Sequence, residues 1–275
     1  MRALLSWSSG KDSAWALHVL RARGDVEIVG LLTTVNAVHD RVAMHAVRRS
    51  LLVEQARACG LPLREVPIPS PCPNDEYERA MAVAMDAARA EGIAAVAFGD
   101  LFLEDIRQYR ERQLASVEMK ALFPLWELPT GALARDMIAA GLRARITCVD
   151  PKQLSRDFAG REFAEALLAD LPATVDPCGE RGEFHTFAYA GPMFVRPMAV
   201  ETGEVVERDG FVFADMLPLP FPESLCHACA APPKYVRTPH STFIRCPLLP
   251  KKYPPQPVRA CEFFRPRGAR RGMSP

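Results

Sequence analysis

The chain has 275 residues, 49% of them hydrophobic, enough for one core of ordinary domain size plus an appendage. Its net charge of +1 hides a division: residues 1–217 carry 24 basic and 31 acidic side chains, whereas 218–275 carry 10 and 2, with 13 of the 25 prolines. No run reaches transmembrane length and no charged leader precedes a small-residue cleavage site, which argues against membrane and secreted classes and leads us to expect a cytoplasmic protein.

In chain order, strands are predicted at 2–7, 27–34, 62–67, 94–99 and 143–149, and helices at 12–23, 45–59, 76–91, 103–115 and 131–140. Gly24, Gly60 and Gly92 each follow a helical pattern at a C′ position, and Asp75 with Glu78 has the spacing of a capping box. Strands alternating with helices predict an α/β fold, a doubly wound and mostly parallel sheet with helices on both faces. Ligands of such sheets lie beyond the carboxyl ends of the strands, so the loop after the first strand, Thr33–Asn36 and Gly99-Asp100 are expected to share one crevice. From about 187 to 217 the pattern shifts to short strands, 194–200, 205–207 and 211–214. Thr202-Gly203 and Asp209-Gly210 separate them as turn signals, giving a small β subdomain. The domains expected are therefore 1–217 and a basic, Pro-rich tail, 218–275.

The first loop is the most informative motif. Ser8-Ser9-Gly10-Lys11-Asp12-Ser13 follows an apolar strand and opens a helix, the layout of a phosphate cradle. Small side chains turn backbone N–H groups toward an anion, hydroxyls donate hydrogen bonds, and Lys11 adds a point charge. It is not a Walker loop, because Ser6 and Asp12 stand where that motif needs glycine and a hydroxyl residue. An ordinary Ser N-cap is the alternative, but lysine in a first helical turn opposes the helix dipole. A second motif, Asp176-Pro177-Cys178-Gly179-Glu180-Arg181-Gly182-Glu183-Phe184-His185-Thr186-Phe187, packs two glycines, two glutamates and a histidine before a strand. Its glycines suggest a backbone that a ligand approaches closely.

The first loop resembles the PP-loop of ATP pyrophosphatases, with Ser9 in place of a family glycine. With the second motif, Phe98-Gly99-Asp100 and Asn74-x-x-Tyr77-Glu78, residues 1–217 resemble the diphthine–ammonia ligase family. The resemblance implies a Rossmann-like ATP-binding domain and ATP-dependent amidation. A carboxylate attacks the α-phosphorus, pyrophosphate leaves, and ammonia displaces AMP from the acyl-adenylate. It implies ATP and Mg²⁺ as cofactors, and ammonia and a carboxylate-bearing protein or small molecule as partners. Ser6, Ser8, Ser9, Gly10, Lys11, Asp12, Ser13, Thr33, Gly99 and Asp100 become the expected ATP-binding positions. Lys11, Glu180, Glu183 and His185 become the expected catalytic ones.

Alternatives stay open residue by residue. Asp12 either ligates Mg²⁺ or favours the helix dipole. Glu183 and His185 either move protons or stabilise a turn, and Glu180 orients Mg²⁺ or the nucleophile. Asp100 contacts the nucleotide or caps a helix. Arg107 and Arg110 face an acidic substrate or solvent, and His45 caps or packs.

Eight cysteines in a reducing compartment read as thiols or metal ligands. Cys59, Cys72, Cys148 and Cys178 are scattered, and most are expected to be buried. Cys226-x-x-Cys229, Cys246 and Cys261 form a candidate four-thiolate site for Zn²⁺ or an iron–sulfur cluster, with His227 or His240 as a substitute ligand. The alternative is a disordered basic tail. The charge and interleaved aromatics of the tail also suit RNA or an acidic protein partner. Two rival functions remain: a PP-loop tRNA-modifying enzyme, for example one that thiolates tRNA, and a non-catalytic nucleotide sensor. Thiolation lacks the expected cysteine pair in the core.

Overall fold

A computed structural model describes residues 1–42, 46–231, 233–238, 242–249 and 252–266. The chain divides into two compact units, Met1–Leu217 and Pro218–Pro275. The first unit contains β1 (Arg2–Ser6), α1 (Lys11–Arg23), β2 (Glu27–Asn36), β3 (Arg41–Val42), α2 (Arg49–Cys59), β4 (Leu63–Ile68), α3 (Asn74–Ala90), β5 (Ala95–Ala97) and α4 (Glu104–Ala115). There follow β6 (Lys120–Leu122), α5 (Thr130–Ala139), β7 (Arg143–Val149), α6 (Glu165–Asp170), β8 (Phe184–Ala190), β9 (Val200–Arg208) and β10 (Phe211–Pro218).

Five parallel strands lie in the order β4, β2, β1, β5, β6, and β3 runs antiparallel to the end of β2. β1 is central, so Ala3, Leu4 and Leu5 are buried on both faces of the sheet. An uninterrupted apolar run is what such a strand requires. The chain winds from β1 outward through β2 to β4, then returns to the other flank for β5 and β6. The loops after β1 and β5 therefore diverge at a topological switch point, and a crevice opens there. One apolar cluster includes Trp7, Leu17, Leu51 and Phe187; a second, with Leu4, Met85, Val96 and Leu114, packs α3 and α4 onto the sheet. The α/β class and doubly wound parallel sheet are those expected from the sequence.

Several elements differ from expectation. The strand at 143–149 belongs to a second, antiparallel sheet in the order β8, β7, β10, β9. A short apolar run satisfies either sheet, and only its partners distinguish them. Thr202-Gly203 is not a turn but lies inside β9. A Cβ on Gly203 would stand 2.9 Å from Leu217 Cδ1, so this glycine marks close packing rather than a reversal. Residues 194–199 are bends and irregular backbone instead of a strand. Asp209 (φ 53°) and Gly210 (φ 81°) do join β9 to β10, with the paired left-handed residues of a tight hairpin turn. Asp75 is no N-cap: α3 starts after Pro73, and Asp75 pairs with Arg79 at 3.3 Å. Gly24 and Gly60 end α1 and α2 in the left-handed conformation, at φ 71° and 66°. His45 lies outside the described residues.

The second unit has a short 3₁₀ turn, Leu225–Ala228, and a hairpin of β11 (Lys234–Arg237) and β12 (Thr242–Arg245). Among its described residues only Ser224 and Ile244 are buried. No helix among the described residues is long and apolar enough to cross a membrane.

Candidate active site

The turn between β1 and α1 is held from behind. Gly10 is the N-cap, with extended backbone and no side chain to occupy the helix terminus. The first helical N–H, that of Lys11, donates to Thr186 Oγ1 (3.1 Å) on β8. The next contact along β8 is Ala188 N–H to the Ser9 carbonyl, 2.9 Å. Gln55, fully buried on α2, closes the arrangement. Its Nε2 donates to the carbonyls of Ser9 (2.9 Å) and Ala188 (2.7 Å), and its Oε1 accepts from Trp7 Nε1 (2.9 Å). From the side, Gly99 presses on the helix start: a Cβ there would lie 2.8 Å from the backbone of Asp12 and Ser13. Only glycine permits that approach.

These constraints leave a cleft of about 540 Å³ at the switch point, within the range of small-molecule sites. Its walls come from Ser6, Ser8 and the start of α1, from Gly99 and Asp100 after β5, from Arg110 of α4, and from residues 178–182 and 184–186. The loop does not fill itself. Ser13 Oγ donates back to the Gly10 carbonyl and approaches Ser8 Oγ at 3.3 Å, yet both residues still border the open space.

Around this cleft the predicted residues take distinct positions. Lys11 is 1% exposed. Its ammonium donates to Asp12 Oδ2 at 2.9 Å and to the Cys178 carbonyl, with the Phe163 and Phe184 rings each 5.4 Å away. Burial alone would lower its pKa, but the Asp12 carboxylate and neighbouring acidic groups outweigh it and hold the lysine charged. The expected free point charge is thus a charge shared with Asp12 at the cleft wall. Burial pushes the Asp12 carboxyl up while Lys11 opposes it. Asp12 Oδ1 is buried without a hydrogen-bond partner. An unpartnered carboxylate oxygen at the start of α1 fits a hard cation, and Mg²⁺ needs only one or two carboxylates when phosphates supply the rest. No group of three or more His, Cys, Asp or Glu among the described residues is gathered to hold a metal.

Glu180 borders the cleft and accepts the Leu101 N–H at 2.7 Å. Burial pushes its pKa to about 7, the Leu101 N–H working against that and the Asp12 and Asp100 charges adding to it. Asp100 does not cap α4, whose N-cap is Leu103; instead it pairs with Arg110 (Nε to Oδ2, 2.7 Å). Arg110 in turn lies over Phe98, 4.3 Å from the ring centre. His185 borders the cleft, and burial, with Lys11 adding, lowers its pKa to about 4, so it is neutral at pH 7.

Four predicted residues do not reach the cleft. Ser9 is fully buried at φ 71°, its Oγ without a hydrogen-bond partner. Gly10 contributes backbone behind the wall. Thr33 donates its hydroxyl to the Trp7 carbonyl at 2.8 Å. Glu183 is 1% exposed and accepts the N–H groups of Asp176 (2.8 Å) and Arg181 (2.9 Å), so it stabilises the turn. Arg107 pairs with Glu111 and lies over Trp126, away from the cleft. Cys59 and Cys148 are buried and pushed up to about 12 by burial, and Cys178 higher still. Sequence pattern alone does not single out Gln55, Trp7 or Asp176 as functional. A glutamine on the apolar face of α2 with Leu51, Leu52 and Ala56 is the available signal for the first of them.

Comparison with known proteins agrees with this architecture. Residues 1–121 match the diphthamide synthase N-terminal domain, and residues 130–214 match the diphthamide synthase C-terminal domain. A diphthine–ammonia ligase from Bos taurus is 25% identical over 244 residues, covering 81% of this chain and 91% of that protein. The diphthine–ammonia ligase of Homo sapiens is 26% identical over 245 residues, with the same two shares. That of Schizosaccharomyces pombe is 29% identical over 120 residues, 42% of this chain and 20% of the relative. The two domain matches span the parallel sheet, the antiparallel sheet and both halves of the cleft, and the chain belongs to the diphthamide synthase family.

Proposed function

We propose that the chain is an ATP-dependent amide-forming ligase that activates a carboxylate by adenylation. The observation that carries this reading is the convergence of Ser8, Ser13, Asp12 with its unpartnered oxygen, and Glu180 on one cleft. The triphosphate would lie along the helix start, its β- and γ-phosphates against Ser8, Ser13 and the dipole of α1. Bound Mg²⁺, held by Asp12 and the phosphates, would neutralise the charge of the departing diphosphate. Lys11 adds a positive wall that needs no reorganisation during the reaction.

The substrate carboxylate oxygen forms a bond to the α-phosphorus, and the bond from that phosphorus to the α,β-bridging oxygen breaks, releasing pyrophosphate. The ammonia nitrogen then attacks the acyl carbon, AMP departs with the former carboxylate oxygen, and one nitrogen proton is lost. Glu180, poised near neutrality beside the cleft, is the group suited to accept it. His185, neutral at pH 7, serves to position groups rather than to donate protons. Diphthine, named in the relatives' activity, is the carboxylate to test first. Sulfur transfer is disfavoured, because a persulfide-bearing cysteine needs thiolate character and exposure that Cys59, Cys148 and Cys178 lack, and the partly exposed Cys72 does not line the cleft.

The experiment uses ATP, ammonium and a diphthine-bearing protein whose carboxylate carries ¹⁸O. The expected products are pyrophosphate, amide and AMP bearing one ¹⁸O. Formation of ADP, or AMP without label, would overturn adenylation.

A further inference from the structure

We infer that the second unit, Pro218–Pro275, holds one thiophilic divalent ion of the zinc class through Cys226, Cys229, Cys246 and Cys261. With only Ser224 and Ile244 buried among its described residues, this unit has almost no apolar core. Segments of this size normally require a staple, either disulfides or a metal. None of its four cysteines is in a disulfide, all are partly buried, and all four border one small apolar cavity.

Contacts outside the cysteine side chains bring the Cys226–Cys229 turn and the segment carrying Cys261 together. Ser224 Oγ accepts the N–H of Cys226 (3.4 Å) and of Val258 (3.2 Å), while Leu225 N–H donates to the Val258 carbonyl (2.8 Å). Ala230 N–H donates to the Arg265 carbonyl at 2.6 Å. The Cys226–Cys229 turn is thereby tied to both ends of the segment carrying Cys261. Cys246 follows directly on β12, and its N–H donates to the Lys252 carbonyl at 2.8 Å.

Other donors are committed elsewhere. His227 Nδ1 faces Tyr235 Oη at 2.7 Å, and its Nε2 faces the carbonyls of Pro220 and Phe221, each at 2.9 Å. Both ring nitrogens are thus occupied, which removes His227 from the ligand set. His240 lies outside the described residues. The cavity measures about 30 Å³, room for about two waters and hence for one ion. The four thiols ring this cavity loosely, since no three such ligands among the described residues are gathered closely enough to hold an ion. Binding would pull them inward, each thiol giving up its proton to solvent and leaving a tetrathiolate site with two net negative charges. The ten basic side chains of this unit, against two acidic ones, offset that charge.

The test uses the full chain, purified without chelator from zinc-supplemented cells. Elemental analysis should give one zinc per chain. Cobalt exchange should give the ligand-field and thiolate charge-transfer bands of a tetrahedral four-sulfur site. In the same preparation, alkylation followed by mass spectrometry should leave Cys226, Cys229, Cys246 and Cys261 protected while partly exposed Cys72 reacts. A chelator should expose all four, and Cys246→Ser and Cys261→Ser should each lose the zinc. The alkylation pattern needs no variant, so misfolded mutants would not obscure it. No bound metal together with free alkylation of the four thiols would overturn the site, and iron with acid-labile sulfide would overturn the single-ion reading.

Discussion

Glu180 and Glu183 stand three residues apart in one loop, yet one faces the cleft and the other supports the turn. Gly182, at φ 83°, redirects the chain between them, so Glu183 folds back on the N–H groups of Asp176 and Arg181. Glu180 keeps a carboxylate at the open space with a pKa near 7. If Glu180 is the base, it must be ionised to work. Then kcat/KM should rise with pH through about 7 and level off above it. In Glu180→Gln, kcat/KM should fall roughly 10²- to 10⁴-fold and lose that ascending limb; a pH–rate profile of each protein measures both effects. Ser9 makes a stability prediction. It stands where the family it resembles has glycine, in a left-handed conformation with a buried, unpartnered hydroxyl. Ser9→Gly removes both costs at the expense of chain entropy in the unfolded state, for a net gain of about 1 kcal/mol in urea unfolding. The sequence locates the loop at the cleft, but not that Ser9 and Thr33 turn away from it. That orientation follows from long-range contacts with Ala188 and Trp7, which local pattern does not encode.

At the scale of elements, α2 and β8 fix the loop between β1 and α1, through Gln55 and Thr186. Replacing Gln55 by leucine keeps the helix and its apolar face but strands the Trp7 indole N–H and strips a donor from two buried carbonyls. We expect a loss of about 3 kcal/mol, read from the urea midpoint, together with weaker ATP binding because the loop loses its backing. Unchanged ATP affinity would assign Gln55 to stability alone. The elements most legible in the sequence are those with their own punctuation, such as α1 and α2 with left-handed glycines at their ends. Pattern alone locates β7 but puts it in the wrong sheet, and it misses the start of β8. Both strands are largely buried, so neither shows the alternation that would reveal a sheet with one solvated face. The full length of β9 is hidden because Gly203 has the character of a turn residue, whereas Leu217 packs on it.

The cleft of the first unit depends on how its two sheets meet, and an ion cluster helps to set that. Asp215 on β10 accepts from Arg41 Nη1 (2.9 Å) and from Arg48 Nε (3.1 Å and 3.2 Å to its two oxygens), thereby joining the antiparallel sheet to the segment between β2 and α2. Burial acts to raise the Asp215 pKa, but hydrogen bonds from Arg48 and Arg41 prevail and hold it below the ordinary carboxylate value. A depressed folded-state pKa contributes stability above the unfolded carboxyl value of about 3.9, and that contribution disappears as pH falls through the lower folded value. Asp215→Asn should therefore cost about 2 kcal/mol at neutral pH, since charge-assisted bonds exceed neutral ones but these groups are partly exposed. The two proteins should converge in stability only below about pH 4. Because Arg41 and Arg48 remain screened by solvent, raising salt should narrow the gap at pH 7 as well. Urea unfolding of both proteins across that pH range decides the matter: a gap that persists in acid would mean the aspartate acts through packing, and a gap absent at pH 7 would mean the sheets are held by their apolar core alone.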